Sequence, residues 1–271
     1  RFEILRGKQL EGYDPSEGTV SRGKGVSPWA HNQPVTGKYI KQEAQAGRMG
    51  QQLYAVAIKK SRGMDFRAPT AEDLAAVRRA DAELAKKLPE WEAKGYIPAD
   101  DIPDGNKTSE PRRYGMYKWK DMFSPRQLLS LCTFLEEMDK QFDELKVQSE
   151  EKAKAIKTVL GFVFDKSADY NSILATWECT RCIIKHVFKR HDYAFSWSFA
   201  EFDASRNLFP WGVSQVSSAL KGLTRLAGPG SAGDARSCLQ ILNSSAANMS
   251  EIENNSVDHI CIDPPYYDNV M

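Results

Sequence analysis

The sequence contains few cysteines, almost no net charge and no long apolar run. Its five cysteines among 271 residues are odd in number and irregularly spaced, which argues for a reducing cytoplasm and against a disulfide-stapled secreted domain. The 37 Lys and Arg residues nearly cancel the 36 Asp and Glu residues, which leaves a formal net charge of +1. Overall charge therefore gives no argument for nucleic-acid binding, and any such surface must be local.

No apolar stretch approaches the roughly 20 residues that a membrane-spanning helix needs, and the start Arg1-Phe2-Glu3-Ile4 lacks the pattern of a signal peptide. We therefore expect a soluble, cytoplasmic protein without a membrane partner. A hydrophobic fraction of 41% with six tryptophans is sufficient for a buried core. Because residue 1 is Arg rather than Met and the last residues follow a strand pattern without a break, we expect an interior piece of a longer protein.

The first part of the chain combines a β pattern, one helix and a proline-rich stretch. Within residues 51–58, large side chains alternate with alanine from Tyr54 to Ile58, which predicts a strand inside a small β-rich module over residues 1–62. Thr70 has the features of a helix cap, and the helix that it opens is expected to end before Pro89. Residues 95–113 are predicted to be a linker or a long surface loop.

The next part, residues 114–227, is predicted to be mainly helical. Ser124-Pro125 has the sequence of a helix N-terminus, and further helices are expected over residues 150–164 and 170–189. Cys179 and Cys182, followed by His186 and His191, have spacing that resembles a zinc site, but helical cysteines lack the loop that separates ligand pairs in a zinc finger. We therefore expect core cysteines and no bound metal.

The last part of the chain changes to a strand–loop–strand pattern. Residues 235–241 and 257–262 are predicted to be the two strands, and the second, a short apolar run, ends at Asp263-Pro264-Pro265-Tyr266. A short β-branched run with such an ending is typical of a buried parallel strand that opens into a ligand site at its carboxyl end. Four specified residues in this context are typical of enzymes that methylate exocyclic amino groups, whereas strand termination alone would explain only the prolines.

The chemistry of such a reaction explains these residue types. The N6 amine of adenine is a weak nucleophile because its lone pair is delocalised into the ring, so it must be oriented and its developing charge stabilised. Asp263 can accept one hydrogen bond from the amine, and the Pro264 carbonyl can accept the other. Pro264 and Pro265 make the loop rigid, and Tyr266 offers a ring face on which an extruded base can stack.

Longer stretches resemble the bacterial adenine-specific DNA methylase family, which has an N-terminal domain of unknown function and a zinc-ribbon-like insertion. The similar stretches are residues 46–50, 114–129, 168–171 and 263–271, of which Ser124-Pro125-Arg126-Gln127-Leu128 and the last are the most specific. The resemblance implies DNA as substrate and S-adenosylmethionine as cofactor, with a glycine-rich cofactor loop upstream of Arg1. It also implies that Asp234 lies near the adenosine of the cofactor, although a loop-capping role is the alternative. The glycine-rich residues 228–233 follow a helix rather than a strand, so we interpret them as a connector.

One feature departs from that family. Where its members resemble a zinc ribbon with a Cys-x-x-Cys pair, this chain has Val26-Ser27-Pro28-Trp29-Ala30-His31, and no cysteine precedes Cys132. We therefore expect that the module over residues 1–62 has lost its metal site.

Two local clusters combine basic and aromatic residues, a composition that suits phosphate contact and base stacking. One covers residues 112–126 and the other residues 181–197. The alternative of a solvated helix face with ordinary core aromatics carries equal weight. The residues expected to contact nucleic acid are Tyr266, Lys118, Lys120, Arg126, Lys185, Lys189 and Arg190.

Taken together, these patterns predict an α/β protein with part of a Rossmann-like, S-adenosylmethionine-dependent methyltransferase core over residues 228–271. Before it we expect the β-rich module of residues 1–62, a helix and linker over 63–113, and a helical insertion over 114–227 that helps to recognise the target. The expected reaction is methylation of adenine N6 in DNA, in restriction-modification, phage defence or housekeeping. An RNA or protein N-methyltransferase and a non-catalytic DNA-binding remnant are the alternatives; Asp rather than Asn at position 263 favours a nucleic acid over protein glutamine.

Overall fold

The computed structural model describes residues 2–12, 14, 20–21, 24–27, 31, 33–189, 192–227 and 242–262. Within these ranges the helices are α1 (Gly37–Gln45), α2 (Ala71–Ala93), α3 (Ser109–Arg113), α4 (Pro125–Lys146), α5 (Glu150–Tyr170) and α6 (Phe209–Ala227). The strands are β1 (Val20–Ser21), β2 (Lys24–Ser27), β3 (Gln33–Thr36), β4 (Val56–Lys59), β5 (Met64–Arg67), β6 (Thr176–Glu178) and β7 (Ile183–Lys185). None of the helices in the described ranges has the length and apolarity needed to cross a bilayer.

The described strands form three small antiparallel sheets, so the fold is mixed α/β. Strands β1, β2 and β3 are adjacent in that order, and β4–β5 and β6–β7 are separate hairpins. The predicted β content of residues 1–62 is present, but helix α1 lies in the same region and the β4–β5 hairpin continues to Arg67. The strand predicted over residues 51–58 begins only at Val56.

Helix α2 begins where its sequence predicts. The Thr70 hydroxyl accepts a hydrogen bond from the Asp73 amide (3.2 Å), and the Asp73 carboxylate accepts one from the Thr70 amide (2.7 Å), which is a capping box. The expected end before Pro89 is wrong, because the helix continues through this proline to Ala93. Trp91 is 0% exposed and packs with Leu84 in a core cluster. Burial of so large a ring offsets the roughly 3 kcal/mol that an internal proline costs.

Helices α4, α5 and α6 pack side by side, and α2 lies against α4. The predicted start of α4 is confirmed, since the Ser124 hydroxyl accepts a hydrogen bond from the Gln127 amide (3.2 Å) and Pro125 occupies the first turn. The predicted α5 is also present and extends to Tyr170. Gly212 permits the close approach of α6 to α5, because a Cβ at this position would lie 3.0 Å from the Val163 side chain.

The proline-rich residues 95–113 are not the surface loop that the sequence predicts. Ile97 and Ile102 are buried, and Pro111 lies inside α3, where it is fully covered. The Ile102 amide donates a hydrogen bond to the Tyr117 carbonyl (2.7 Å), and Ile102 belongs to a core cluster with Met116 and Met122 among others. The segment therefore forms part of the core, because its scattered apolar residues find partners that are distant in sequence.

The helix predicted over residues 170–189 is wrong: α5 ends at Tyr170, and the antiparallel hairpin β6–β7 follows. The Ser172 hydroxyl donates a hydrogen bond to the Met122 carbonyl (2.7 Å) and accepts one from the Leu174 amide (3.2 Å), which fixes a turn after the helix. The β-branched and aromatic residues Thr176, Trp177, Ile183 and Ile184 then favour paired strands over a helix.

The buried strand predicted over residues 257–262 is also not formed. These residues are irregular, and Ile260 and Ile262 are 77% and 74% exposed. A parallel strand is stable only beside neighbours that accept and donate its backbone hydrogen bonds, and no described strand lies next to this segment. Residues 235–241, predicted to be the companion strand, and the connector over residues 228–233 lie outside the described residues.

Candidate nucleic-acid interface

The two basic and aromatic clusters predicted from the sequence meet in one surface. Tyr114, which follows α3, stacks on Phe195 with ring centroids 3.9 Å apart and an interplanar angle of 12°. Trp197 packs edge-on against both rings, with centroid distances of 5.9 and 5.2 Å. The sequence pattern did not indicate that these clusters would touch.

A second aromatic contact holds the same two segments together. Trp119 and Tyr193 meet edge-on with centroids 5.5 Å apart, and Phe188 packs against Tyr193 at 5.8 Å. The Tyr193 amide donates a hydrogen bond to the Lys107 carbonyl (3.2 Å). Burial raises the pKa of both the Tyr114 and the Tyr193 hydroxyls. These two rings therefore lie beneath the surface, whereas Trp197 (52% exposed) and Phe188 present their faces to solvent.

The basic residues that were predicted to contact nucleic acid and that the structure describes have partners within the protein. Ion pairs join Lys118 to Asp101 (3.0 Å), Lys120 to Glu92 (3.1 Å), Arg126 to Glu201 (2.7 Å) and Lys185 to Glu178 (2.9 Å). The pKa of Glu178 is lowered, first by its hydrogen bond from Lys185. The Lys189 ammonium donates a hydrogen bond to the Thr176 hydroxyl. These contacts give each cation a structural role, and their contact with nucleic acid stays a prediction.

Arg126 is the most firmly held of these cations. Its guanidinium donates two hydrogen bonds to the Glu201 carboxylate, and the same carboxylate accepts one from the Ser124 hydroxyl (3.0 Å). The pair thus links the N-terminus of α4 to the chain that precedes α6. Sequence reasoning missed Glu201, because an isolated glutamate in an aromatic stretch gives no indication of a partner so distant in sequence.

An open pocket of about 350 Å³ lies beside this surface, lined by Gln45, Asp104, Ser109, Arg112, Arg113 and Tyr117; we call it the arginine pocket. Helix α1 supplies Gln45, and α3 supplies Ser109 and both arginines. The Gln45 amide donates a hydrogen bond to the Arg113 carbonyl (3.3 Å), which joins the two helices at the rim. The sequence identified Arg112 and Arg113 as part of a basic cluster but did not indicate a concave site.

Gly115 allows α1 and α3 to approach closely enough to form this pocket. Its φ is +80°, a conformation that side chains disfavour, and a Cβ there would lie 2.4 Å from the Ala44 carbonyl oxygen. Only glycine satisfies both constraints without a shift of α1. The sequence did not assign this residue a role.

The cysteine pair occupies a different setting from the one that its sequence predicts. Cys179 and Cys182 are the ends of the four-residue turn between β6 and β7, and Cys179 is exposed. Cys182 has a φ of +50°, and its thiol lies 3.4 Å from the Cys179 carbonyl oxygen. The interpretation of a helical, core pair is therefore wrong, because the turn projects from the hairpin rather than packing into a helix interface.

His186 does not join this pair. Its Nδ1 lies 3.2 Å from the Asp169 carboxylate, and its ring stacks on Tyr170 with centroids 5.4 Å apart. His191 lies outside the described residues. Within the part of the chain that the structure describes, no group of three or more His, Cys, Asp or Glu side chains is arranged to hold a metal ion. The turn therefore brings only the thiols of Cys179 and Cys182 together among the described residues.

The residues predicted to be catalytic, Asp263, Pro264, Pro265 and Tyr266, lie outside the described residues, as do Asp234 and Arg190. Within the described chain, the candidate site is therefore the surface formed by the aromatic stack and the arginine pocket. Comparison of the chain with family models, with curated proteins and with solved structures found no match.

Proposed function

We propose that this chain is part of a DNA methyltransferase that transfers a methyl group to adenine N6. The observation that carries this proposal is the sequence Asp263-Pro264-Pro265-Tyr266 directly after an apolar run. An Asp, two rigid prolines and an aromatic ring in that order supply an acceptor for the amine, a fixed carbonyl and a stacking face. Strand termination explains the prolines but neither the Asp nor the Tyr.

In the proposed reaction the Asp263 carboxylate and the Pro264 carbonyl each accept one hydrogen bond from the adenine amine. This orients the nitrogen lone pair toward the methyl donor and stabilises the positive charge that develops on nitrogen. Bound S-adenosylmethionine would supply an activated methyl group on its sulfonium and would leave as the neutral thioether S-adenosylhomocysteine, and the surplus proton of the methylated amine would pass to solvent. Asp234 is the residue proposed to face its adenosine.

The described surface supports a nucleic-acid substrate. Trp197 and Phe188 are exposed; Trp197 packs against Tyr114, the residue after the two arginines of α3, and Phe188 follows strand β7 with Lys185. Exposed rings and cations in one surface suit contact with bases and phosphates together. We propose that residues 114–227 recognise the target DNA, and that residues 228–271 contribute to a Rossmann-like core in the protein that contains this chain.

The test is methyl incorporation from labelled S-adenosylmethionine into unmethylated DNA by the complete protein. We expect Asp263→Ala to lower the rate by about 10²-fold or more, because a preorganised acceptor is removed at the reacting atom. Asp258→Ala is the matched control, since Asp258 is an exposed carboxylate five residues earlier. Full activity of Asp263→Ala would refute the assignment.

The alternatives predict different products. The same assay with RNA and with a glutamine-containing peptide as acceptors distinguishes the RNA and protein methyltransferases. A non-catalytic DNA-binding protein is the second candidate, favoured by the aromatic and basic surface of the described residues. A non-catalytic protein would bind DNA but transfer no labelled methyl group to any of the acceptors.

A further inference from the structure

The arginine pocket has the composition of an anion site. It contains two guanidinium groups, the Gln45 amide and the Tyr117 phenol, against a single carboxylate, Asp104. Asp104 is 86% exposed, and its nearest approach to the Arg112 guanidinium is 4.0 Å. A contact this long and this exposed to water binds weakly, so the pocket keeps a net positive charge.

The two arginines differ in a way that suits binding. The Arg112 guanidinium donates a hydrogen bond to the Ile102 carbonyl (2.7 Å) and lies over the Tyr117 ring, 5.6 Å from its centroid. It is therefore already oriented when a ligand arrives. The Arg113 side chain is exposed and has no acidic partner among the described residues, in contrast to Lys118, Lys120, Arg126 and Lys185. An incoming anion can pair with Arg113 without first displacing a carboxylate.

The neighbouring side chains indicate which anion the pocket fits. Arg113 precedes Tyr114, whose ring stacks on Phe195 and lies 5.7 Å from the Lys41 ammonium. The pocket is open to solvent, so a ligand whose anionic group binds there can extend beyond it. Every phosphodiester of a nucleic acid lies beside a sugar and a flat base, which the exposed Trp197 ring next to Tyr114 can contact, whereas only some carboxylates of an acidic peptide have an aromatic neighbour.

We infer that the arginine pocket binds a backbone phosphate of a nucleic acid, with Arg113 as the direct ligand and Arg112 as an oriented second donor. This inference rests on the proposed function only in taking DNA as the partner. The principal phosphate contact is then made by Arg113 rather than by the ion-paired lysines and arginine that the sequence indicated.

The test measures binding of labelled duplex DNA by fluorescence anisotropy as the salt concentration is raised from about 50 to 200 mM. We expect Arg113→Gln to weaken binding about tenfold at the lowest salt, as loss of a charge-assisted hydrogen bond does. It should also lower the slope of log Kd against log salt by about 0.9, the value for one phosphate contact. Arg113→Lys should retain most of the slope because it keeps the charge.

The matched control is Arg79→Gln, which removes another exposed arginine, from α2 and outside the pocket. It should leave the slope as in the unmodified protein, and thermal unfolding of each variant establishes that the fold is intact. If Arg113→Gln keeps the full slope, the inference is wrong. If Arg113→Gln instead loses affinity for a polyglutamate peptide while its DNA slope is unchanged, the pocket serves an acidic protein partner and the inference is equally wrong.

Failure of this inference is separable from failure of the proposed function. If the protein methylates DNA but Arg113→Gln leaves the salt slope unchanged, the proposed function stands and the assignment of the arginine pocket is wrong. If the protein transfers no methyl group but Arg113→Gln lowers the salt slope, the proposed enzymatic function is wrong and the assignment of the arginine pocket stands.

Discussion

Arg126 and Glu201, which are 75 residues apart, are joined by two hydrogen bonds of 2.7 and 2.9 Å. Their side chains are only 22% and 25% exposed. A planar guanidinium that meets a carboxylate with two parallel bonds is a stronger and more specific contact than an exposed lysine pair. The contact therefore fixes the chain before α6 against the N-terminus of α4.

We expect this pair to contribute more to stability than to DNA binding. In a double-mutant cycle with Arg126→Met and Glu201→Gln, the coupling free energy of unfolding should be about 1–3 kcal/mol, measured by urea denaturation. The salt slope of DNA binding by folded Arg126→Met should equal that of the unmodified protein. A slope lower by about 0.9 would show that Arg126 reaches a phosphate after all.

Gly115→Ala should destabilise the protein by about 1–3 kcal/mol, because the new Cβ meets the Ala44 carbonyl at 2.4 Å and the backbone is held at a φ of +80°. Gly161→Ala is the control, since Gly161 lies inside α5 with nothing within 4 Å of its Cβ position. That substitution should stabilise the helix by about 0.8–1 kcal/mol. Urea unfolding of both variants checks the pair, and equal effects would contradict our account of the α1–α3 contact.

The stability of the α2 N-terminus should depend on pH through Asp73. The Arg67 guanidinium, followed by the Thr70 amide and hydroxyl, holds the pKa of Asp73 well below its usual range. A carboxyl whose pKa is lower in the folded than in the unfolded state stabilises the fold above about pH 4, and this contribution disappears as the pH falls further.

Asp73→Asn should therefore be less stable than the unmodified protein at neutral pH, and the difference should shrink as the pH is lowered below about 4. Urea unfolding at several pH values measures it. Asp81→Asn, an exposed position on the same helix, serves as the control. A destabilisation by Asp73→Asn that stays constant down to pH 3 would show that capping by the neutral side chain, rather than charge, is what matters.

The thiols should differ sharply in reactivity. Cys132 is 2% exposed, and burial raises the pKa of its thiol to about 12, whereas Cys179 is exposed in the β6–β7 turn. In the native protein, a thiol reagent should modify Cys179 quickly and Cys132 only after unfolding, because the thiolate is the reactive species. Mass spectrometry of the labelled peptides checks this. Protection of Cys179 equal to that of Cys132 would contradict the hairpin and favour the helical core position.

Tyr266 should act through its ring face. Tyr266→Ala is expected to weaken the complex with DNA that carries an extruded adenine by about 1–3 kcal/mol, whereas Tyr266→Phe should retain most of the affinity. A duplex with a mispaired target adenine, titrated by fluorescence, measures both variants in the complete protein. If Phe were as damaging as Ala, the hydroxyl rather than stacking would be the important group.

The sequence by itself determined the features that depend on a few neighbouring residues. The starts of α2 and α4 follow from Thr70 with Asp73 and from Ser124 with Gln127, because a cap is completed within one turn. The Asp263–Tyr266 motif is likewise recognised by residue type and order alone, and it carries the proposed function.

Only the tertiary structure decided the features that depend on distant partners. Burial of Trp91 carries α2 past Pro89, and strand pairing turns residues 176–185 into a hairpin rather than a helix. The arginine pocket exists because the end of α1 at Ala44 meets Gly115 in the turn after α3, and these two residues are about 70 positions apart in the chain. Burial and pairing energies are set by which segments meet in space, and a local pattern of residues does not contain that information.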